Sequence, residues 1–309
     1  MVGSFEAGTS SGTKINKYNQ VFLYMSFMIA CSFNALSPDL LSVMLYSQFL
    51  FNSFTSVQSI KNYMSGPKVY LRDRGHNFTA FCHPSLKTLI NGFKRLSDHV
   101  PRRAPALSTK TLKKVIDLLS ALSVEGQVAA SSLLFGTCSF LRQSNFLGTQ
   151  WLYDNPHMVR RCDVKIEKHT MWINVMSTKT LARAKAVSIP IPRIHGSKYC
   201  PVKSCVLAMQ LVKGSPEDPI FLSPYTQAPM TAARVTALLR LALHVMKHPA
   251  ATSATVHSTR RSGAQICAKA GATQEDVETH GTWASRASEV YAPKRLYSSI
   301  PSIMSKAFK

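Results

Sequence analysis

Residues 257–291 read HSTRRSGAQICAKAGATQEDVETHGTWASRASEVY. The stretch opens with His257 and Arg260, three residues apart, an interval that puts two side chains on one face of a helix start. It passes through a turn, His280-Gly-Thr-Trp283-Ala-Ser, and ends on Tyr291, ten residues after Gly281. Phosphoryl transfer without a metal needs an in-line nucleophile, cations for the charge growing on the non-bridging oxygens, and an acid for the departing oxygen. Arginine suits the second task, because its planar fork meets two phosphate oxygens and stays charged. His257, Arg260 and Tyr291 are side chains of these kinds, gathered in one short stretch.

The segments upstream supply more of the same. Gln127 to Phe140 is an apolar helical run, and Phe140-Leu-Arg142-Gln-Ser-Asn145 comes directly after it. Cys162 to Val175 alternates in places between polar and apolar residues and reads as two strands of a hairpin. Ala186-Val-Ser-Ile-Pro-Ile reads as a third strand closed by Pro190 and Pro192, with Lys179 in the intervening Ser177-Thr-Lys-Thr. Helices are expected over Thr109–Leu122 (with Ser108 as N-cap), Pro201–Leu211, Thr231–Val245, Ser258–Lys269 and Gln274–Thr279.

The first hundred residues differ in kind. Lys14 to about Leu96 carries helical periodicity, enough for four helices. Val21–Phe33 is almost continuously apolar, but at 13 residues it is shorter than the roughly 20 a membrane span needs, so it reads as a buried helix. Ser65-Gly66-Pro67 is expected to stop a short helix, Ser56–Met64. His83-Pro84 opens the next, with Leu86, Leu89, Ile90 and Phe93 on one side and Lys87, Lys94 and Arg95 on the other. His99-Val-Pro-Arg102-Arg103-Ala-Pro is an extended basic linker. The expected organisation is a helical domain over 1–98, a linker over 99–107 and a catalytic domain with a C-terminal tail over 108–309. The fold class is mainly α with a small antiparallel β-sheet, an α+β second domain behind an all-α first one.

Charge narrows the function. The 309 residues hold 37 Lys and Arg against 15 Asp and Glu, a formal +22 spread along the whole chain. Self-repulsion of that size points to a polyanionic partner, most commonly nucleic acid. The seven cysteines are odd in number and irregular in spacing, which fits a reducing compartment better than a disulfide framework. The spacing of Cys200, Cys205 and His195 is wrong for a zinc pair. No metal, cofactor or membrane partner is expected.

These motifs, in this order, resemble the tyrosine recombinase (phage-integrase) family. The wordings Phe-Leu-Arg-Gln-Ser-Asn, Cys200-Pro-Val, His-Ser-x-Arg-Arg and His-Gly-x-Trp are most similar to recombinases of eukaryotic mobile elements of the Crypton, DIRS and Ngaro kind. The resemblance covers roughly 105–295. It implies that Arg142 and Arg260 hold the scissile phosphate, that Lys179 protonates the departing 5′ oxygen, and that His257 assists proton transfer. It further implies that Trp283 packs against the site and offers its indole N–H, and that Tyr291 attacks to form a 3′-phosphotyrosyl link. Tyr297 is the rival nucleophile but misses the family spacing. Asn145 stands where the family usually has an acidic residue. Lys87, Lys94, Arg95, Arg102, Arg103 and Arg261 are expected to contact DNA phosphates, which positions the protein without specifying sequence. His280 is read as an ordinary turn residue, with a helix cap as its other reading.

The partners implied are double-stranded DNA and three further copies of the chain, with residues 296–309 docking on a neighbouring subunit. A nuclear location is implied for a eukaryotic host and a cytoplasmic one otherwise. The alternatives are a DNA-binding descendant of a recombinase without catalysis, and a type IB topoisomerase-like enzyme.

Overall fold

The computed structural model describes residues 11–100, 104–148, 158–176, 187–281 and 299–309. The chain divides into two compact units, Met1–Arg102 and Arg103–Lys309.

The first unit is helical: α1 (Ser11–Ala30), α2 (Leu40–Ser53), α3 (Val57–Asp73) and α4 (Pro84–Leu96). Two of its helix starts are capped by side chains. Asp39 accepts from the Ser42 amide at 2.7 Å, and His83 Nδ1 accepts from the Ser85 amide ahead of Pro84. Aromatic rings fill the core. Tyr24 meets Tyr46 and Phe81 edge-on, and Phe51 stacks on Phe93 with centroids 4.3 Å apart.

Two expectations fail in this unit. Ser65-Gly66-Pro67 does not stop a helix; α3 runs through Pro67 to Asp73. Gly66 lies so close to α1 that a Cβ there would come within 2.5 Å of Gln20 Cβ. The buried Met64, Pro67 and Leu71 hold the helix together across the hydrogen bond that proline cannot donate. Val21–Phe33 is not a buried helix either. Tyr24 and Met28 are buried, but Phe22 and Ile29 are 63% and 72% exposed. A bundle this small covers only one side of α1.

The second unit is built around one helix. After α5 (Thr109–Leu122), α6 (Val124–Ser139) is buried over almost its whole length, and its Gly, Ala and Ser residues let neighbours approach closely. Three strands come next, β1 (Val164–Ile166), β2 (Thr170–Val175) and β3 (Val187–Pro192), antiparallel in the order β1-β2-β3. Met171 pairs with Ile191 and Ile173 with Ile189, so one face of the hairpin is apolar and buried. β3 contains Pro190 and ends on Pro192, as the sequence suggests. β3 is an edge of the sheet, where a residue without an N–H breaks no ladder. Helices α7 (Pro201–Leu211), α8 (Ala232–Val245), α9 (His257–Lys269), α10 (Gln274–His280) and α11 (Ile300–Ala307) follow among the described residues.

A buried carboxylate ties two of these helices together. Glu125, in the first turn of α6, receives Arg234 Nε and Nη2 of α8 at 2.8 and 2.7 Å. The tail also departs from expectation. Ile300, Met304 and Phe308 are fully buried in the core of their own chain, against β3 and α9, rather than offered to a neighbour. Among the described residues no helix is long and apolar enough to cross a membrane.

Candidate active site

The site is organised by the crossing of α6 and α9. Both helices present a glycine where they meet. A Cβ on Gly263 would lie 2.1 Å from the Thr137 carbonyl oxygen, and one on Gly136 would lie 2.8 Å from Thr259 Oγ1. Only glycine permits this approach. Beyond the crossing, α6 ends on Phe140 in the left-handed region at φ 54°. Its ring is buried beside Gly263. This left-handed end, uncommon for a bulky residue, turns the chain so that Arg142 comes two residues later, at the start of the short 3₁₀ turn Gln143–Asn145.

Arg142 is thereby brought to the first turns of α9. The residue as a whole is half-buried, and its Nη1 is fully buried with no hydrogen-bond partner among the described residues. Arg260, in the first turns of α9, is 2% exposed, and its Nη2 donates to the Gly281 carbonyl at 2.8 Å. Burial, and then the like charge of Arg142, push the Arg260 guanidinium down to about 10. His257 opens the same helix. It is also held below the ordinary histidine value, by desolvation first and then by Arg260, Arg261 and Arg142. A buried guanidinium and a half-buried one that repel each other, beside the His257 imidazole, form a corner rich in positive charge. The nearby N-terminus of α9 adds to the positive potential. An oxyanion would relieve all of these terms at once, and phosphate matches the guanidinium forks.

The remaining expected residues fall into three groups. Lys179, Trp283 and Tyr291 lie outside the described residues, as do Arg102 and Arg103. Lys87, Lys94 and Arg95 are exposed on α4, opposite the buried Leu86, Ile90 and Phe93. Arg261 is not free on the surface, since its Nη1 donates to the Ala104 carbonyl. Next to it, Ser262 Oγ accepts from the Leu107 amide at 2.7 Å. These two bonds stitch the segment leading into α5 onto α9. Asn145 is buried, and its carbonyl accepts from the Val159 amide at 2.7 Å.

One participant is not evident from sequence. His280 is no ordinary turn residue and does not cap the helix before it. It is fully buried, and its Nε2 lies 2.8 Å from the Cys138 carbonyl in the last turn of α6. The lone histidine carries no signal of this, because a contact across 142 positions leaves no local pattern. The two glycines do leave one, as glycines inside helical periodicity. Among the described residues no group of three or more His, Cys, Asp or Glu side chains is arranged to hold a metal. The Cys200 thiol instead accepts a hydrogen bond from the Ile194 amide.

No protein-family model and no curated protein matches the chain. Solved structures do resemble it. Lambda integrase, in a crystal structure of its dimer bound to a COC′ core site, superposes with a TM-score of 0.59 at 14% identity, over 94% of this chain and 94% of that one. Lambda integrase bound to DNA gives a TM-score of 0.55 at 13% identity, over 94% and 90%. The Tn1549 transposon integrase in complex with transposon right end DNA gives 0.55 at 14% identity, over 82% and 81%. With its helical majority and its three-stranded antiparallel sheet, the chain has the tyrosine recombinase fold.

Proposed function

We propose that the protein is a tyrosine recombinase that cuts and rejoins double-stranded DNA through a 3′-phosphotyrosyl intermediate, in the integration or excision of a mobile element. The observation that carries this reading is the burial of Arg260 and of Arg142 Nη1 beside His257, a cationic corner whose natural occupant is a phosphate. The formal charge of +22 supports a nucleic acid as the source of that phosphate.

In this reading the two guanidiniums hold the non-bridging oxygens of the scissile phosphate. The Tyr291 hydroxyl loses its proton, with His257 assisting, and its oxygen bonds to phosphorus. The bond to the 5′ oxygen breaks, and that oxygen takes a proton from Lys179. The phosphodiester is conserved as a phosphotyrosyl ester. A 5′ hydroxyl then attacks the ester to rejoin DNA and release Tyr291, so the cycle needs no energy donor. Trp283 would pack beside the phosphate and donate its indole N–H. The parts played by Lys179, Trp283 and Tyr291 rest on motif spacing.

Exchange between two duplexes requires four such sites, hence four copies of the chain on DNA. A lambda integrase tetramer bound to a Holliday junction superposes with a TM-score of 0.57 at 14% identity, which supports that assembly for this fold. The exposed basic face of α4 supports further contacts to the DNA backbone.

The test is trapping on a nicked duplex drawn from the flanks of the encoding gene. A protein–DNA adduct that survives denaturant with the natural chain and vanishes with Tyr291→Phe is the expected result. Tight DNA binding with no adduct on any flank sequence would favour a DNA-binding protein without catalysis.

A further inference from the structure

His280 joins three parts of the second unit. A carbonyl oxygen only accepts, so the proton of the neutral ring sits on Nε2 and is donated to Cys138 O at 2.8 Å. Nδ1 then carries the lone pair, buried with no hydrogen-bond partner among the described residues. Cys138 lies in the final turn of α6, whose last four carbonyls have no partner inside the helix, so the imidazole caps α6. The same ring stands edge-on to Phe140, with centroids 4.8 Å apart, and so braces the left-handed end from which Arg142 departs.

The residue after it completes the chain of contacts. The Gly281 amide donates to Val277 O at 3.0 Å, and the Gly281 carbonyl receives Arg260 Nη2 at 2.8 Å. One imidazole therefore connects the helix end that carries Arg142 to the carbonyl that holds Arg260. We propose that His280 is a positioning residue: it sets the spacing and orientation of the Arg142 and Arg260 guanidiniums by pinning the end of α10 to the end of α6. An apolar side chain would fill the same volume without leaving a bare lone pair in the core. What it could not do is donate to Cys138 O. Burial keeps the ring neutral, pushed down to about 4, so the bond persists at neutral pH. The inference rests on the reading of these arginines as a phosphate clamp.

The test compares the natural chain with His280→Leu and His280→Gln, the amide of Gln restoring a donor near the position of Nε2. Two quantities are read on the full-length protein. The first is the side-chain NMR spectrum of Arg260, identified by its loss in Arg260→Lys, in which a guanidinium held on a carbonyl rotates slowly about Cζ–Nη. The second is the rate of adduct formation on the nicked duplex, with DNA affinity measured alongside.

The natural chain and His280→Gln should show slow rotation, and His280→Leu fast rotation. Adduct formation should fall on the order of tenfold to a hundredfold in His280→Leu, the scale of an ångström misplacement, with DNA affinity unchanged, and recover in His280→Gln. The proposal is overturned if His280→Leu only lowers the melting temperature and leaves rotation and rate as they were. It is equally overturned if His280→Gln behaves as His280→Leu does. If the natural chain forms no adduct at all, the strand-transfer reading fails, while the Arg260 spectra still decide whether His280 positions the guanidinium.

Discussion

The arginines at the α6–α9 crossing and the basic face of α4 carry the same sign of charge in opposite surroundings. Lys87, Lys94 and Arg95 stand in water, where an unpaired cation costs little and long-range attraction is screened by salt. Arg260 is packed into protein with half-buried Arg142 close enough to repel it, so desolvation and like charge both oppose its enclosure. An exposed cation suits contacts to any phosphate of a backbone. In the proposed reading the pair would make a fixed cradle for one phosphate, with the guanidiniums already oriented when charge develops, and that function would offset the cost of enclosing them. The left-handed backbone at Phe140 serves the same end, since it lies between the helix crossing and Arg142.

The contrast can be broken most sharply at Arg260. Arg260→Met should lower adduct formation by about a thousandfold, the scale seen when a group stabilising transition-state charge is removed. The melting temperature should hold or rise, because a repelled, buried cation has been replaced by an apolar chain of similar reach. Parallel single-turnover assays and calorimetry would show both. A large fall in stability would mean that Arg260 is a structural residue after all.

Gly263→Val should be nearly as severe for a different reason. Its Cβ would meet the Thr137 carbonyl and the Phe140 ring, so α9 must move off α6. A loss of stability of about 3 kcal/mol or more is expected, by the ordinary cost of overpacking against backbone. Urea titration is the check, and a variant as stable as the natural chain would mean that the two helices can separate at little cost.

Acid should loosen the same corner. The unfolded chain protonates His280 near the ordinary value of about 6.5, whereas in the folded protein this requires pH near 4. The unfolded state therefore binds the extra proton first as pH falls. The contribution of His280 is complete above about pH 6.5 and declines progressively down to about pH 4, on the order of 3 kcal/mol in all. Urea titrations at pH 7 and pH 4.5 measure it. His280→Gln should flatten the dependence, and an equally steep profile in that variant would assign the effect to other groups.

The smallest effect belongs to α4. Replacing Lys87, Lys94 and Arg95 with Ala should weaken DNA binding to all sequences alike and reduce the salt slope by roughly one for each phosphate no longer neutralised. Stability should be unaffected. Affinity measured across a salt series separates this from a base-specific interaction, which would alter sequence preference.

Much of the architecture was legible because it is encoded locally. The hairpin alternation of 162–175, the caps at Ser108 and His83, and the amphipathic run of α4 each depend on near neighbours, and each appears where expected. Of the candidate site, the kinds of residue and their intervals could be read, including His257 and Arg260 one helical turn apart. Pro67 inside α3 could not. A proline's local preference is to interrupt, and here the burial of Met64, Pro67 and Leu71 carries the helix through it.

The sequence alone determined the charge of the chain, the order of its helices and strands, and the presence of arginine, histidine and tyrosine at family-like intervals. Tertiary structure alone decided that Arg260 is buried with Arg142 near it, that Arg261 is tied to Ala104, that the tail folds back on its own chain, and that His280 spans from α10 to α6. Charge and periodicity belong to the residues themselves. Desolvation, like-charge repulsion and the capping of a distant helix come into being only when segments far apart in the chain are packed together.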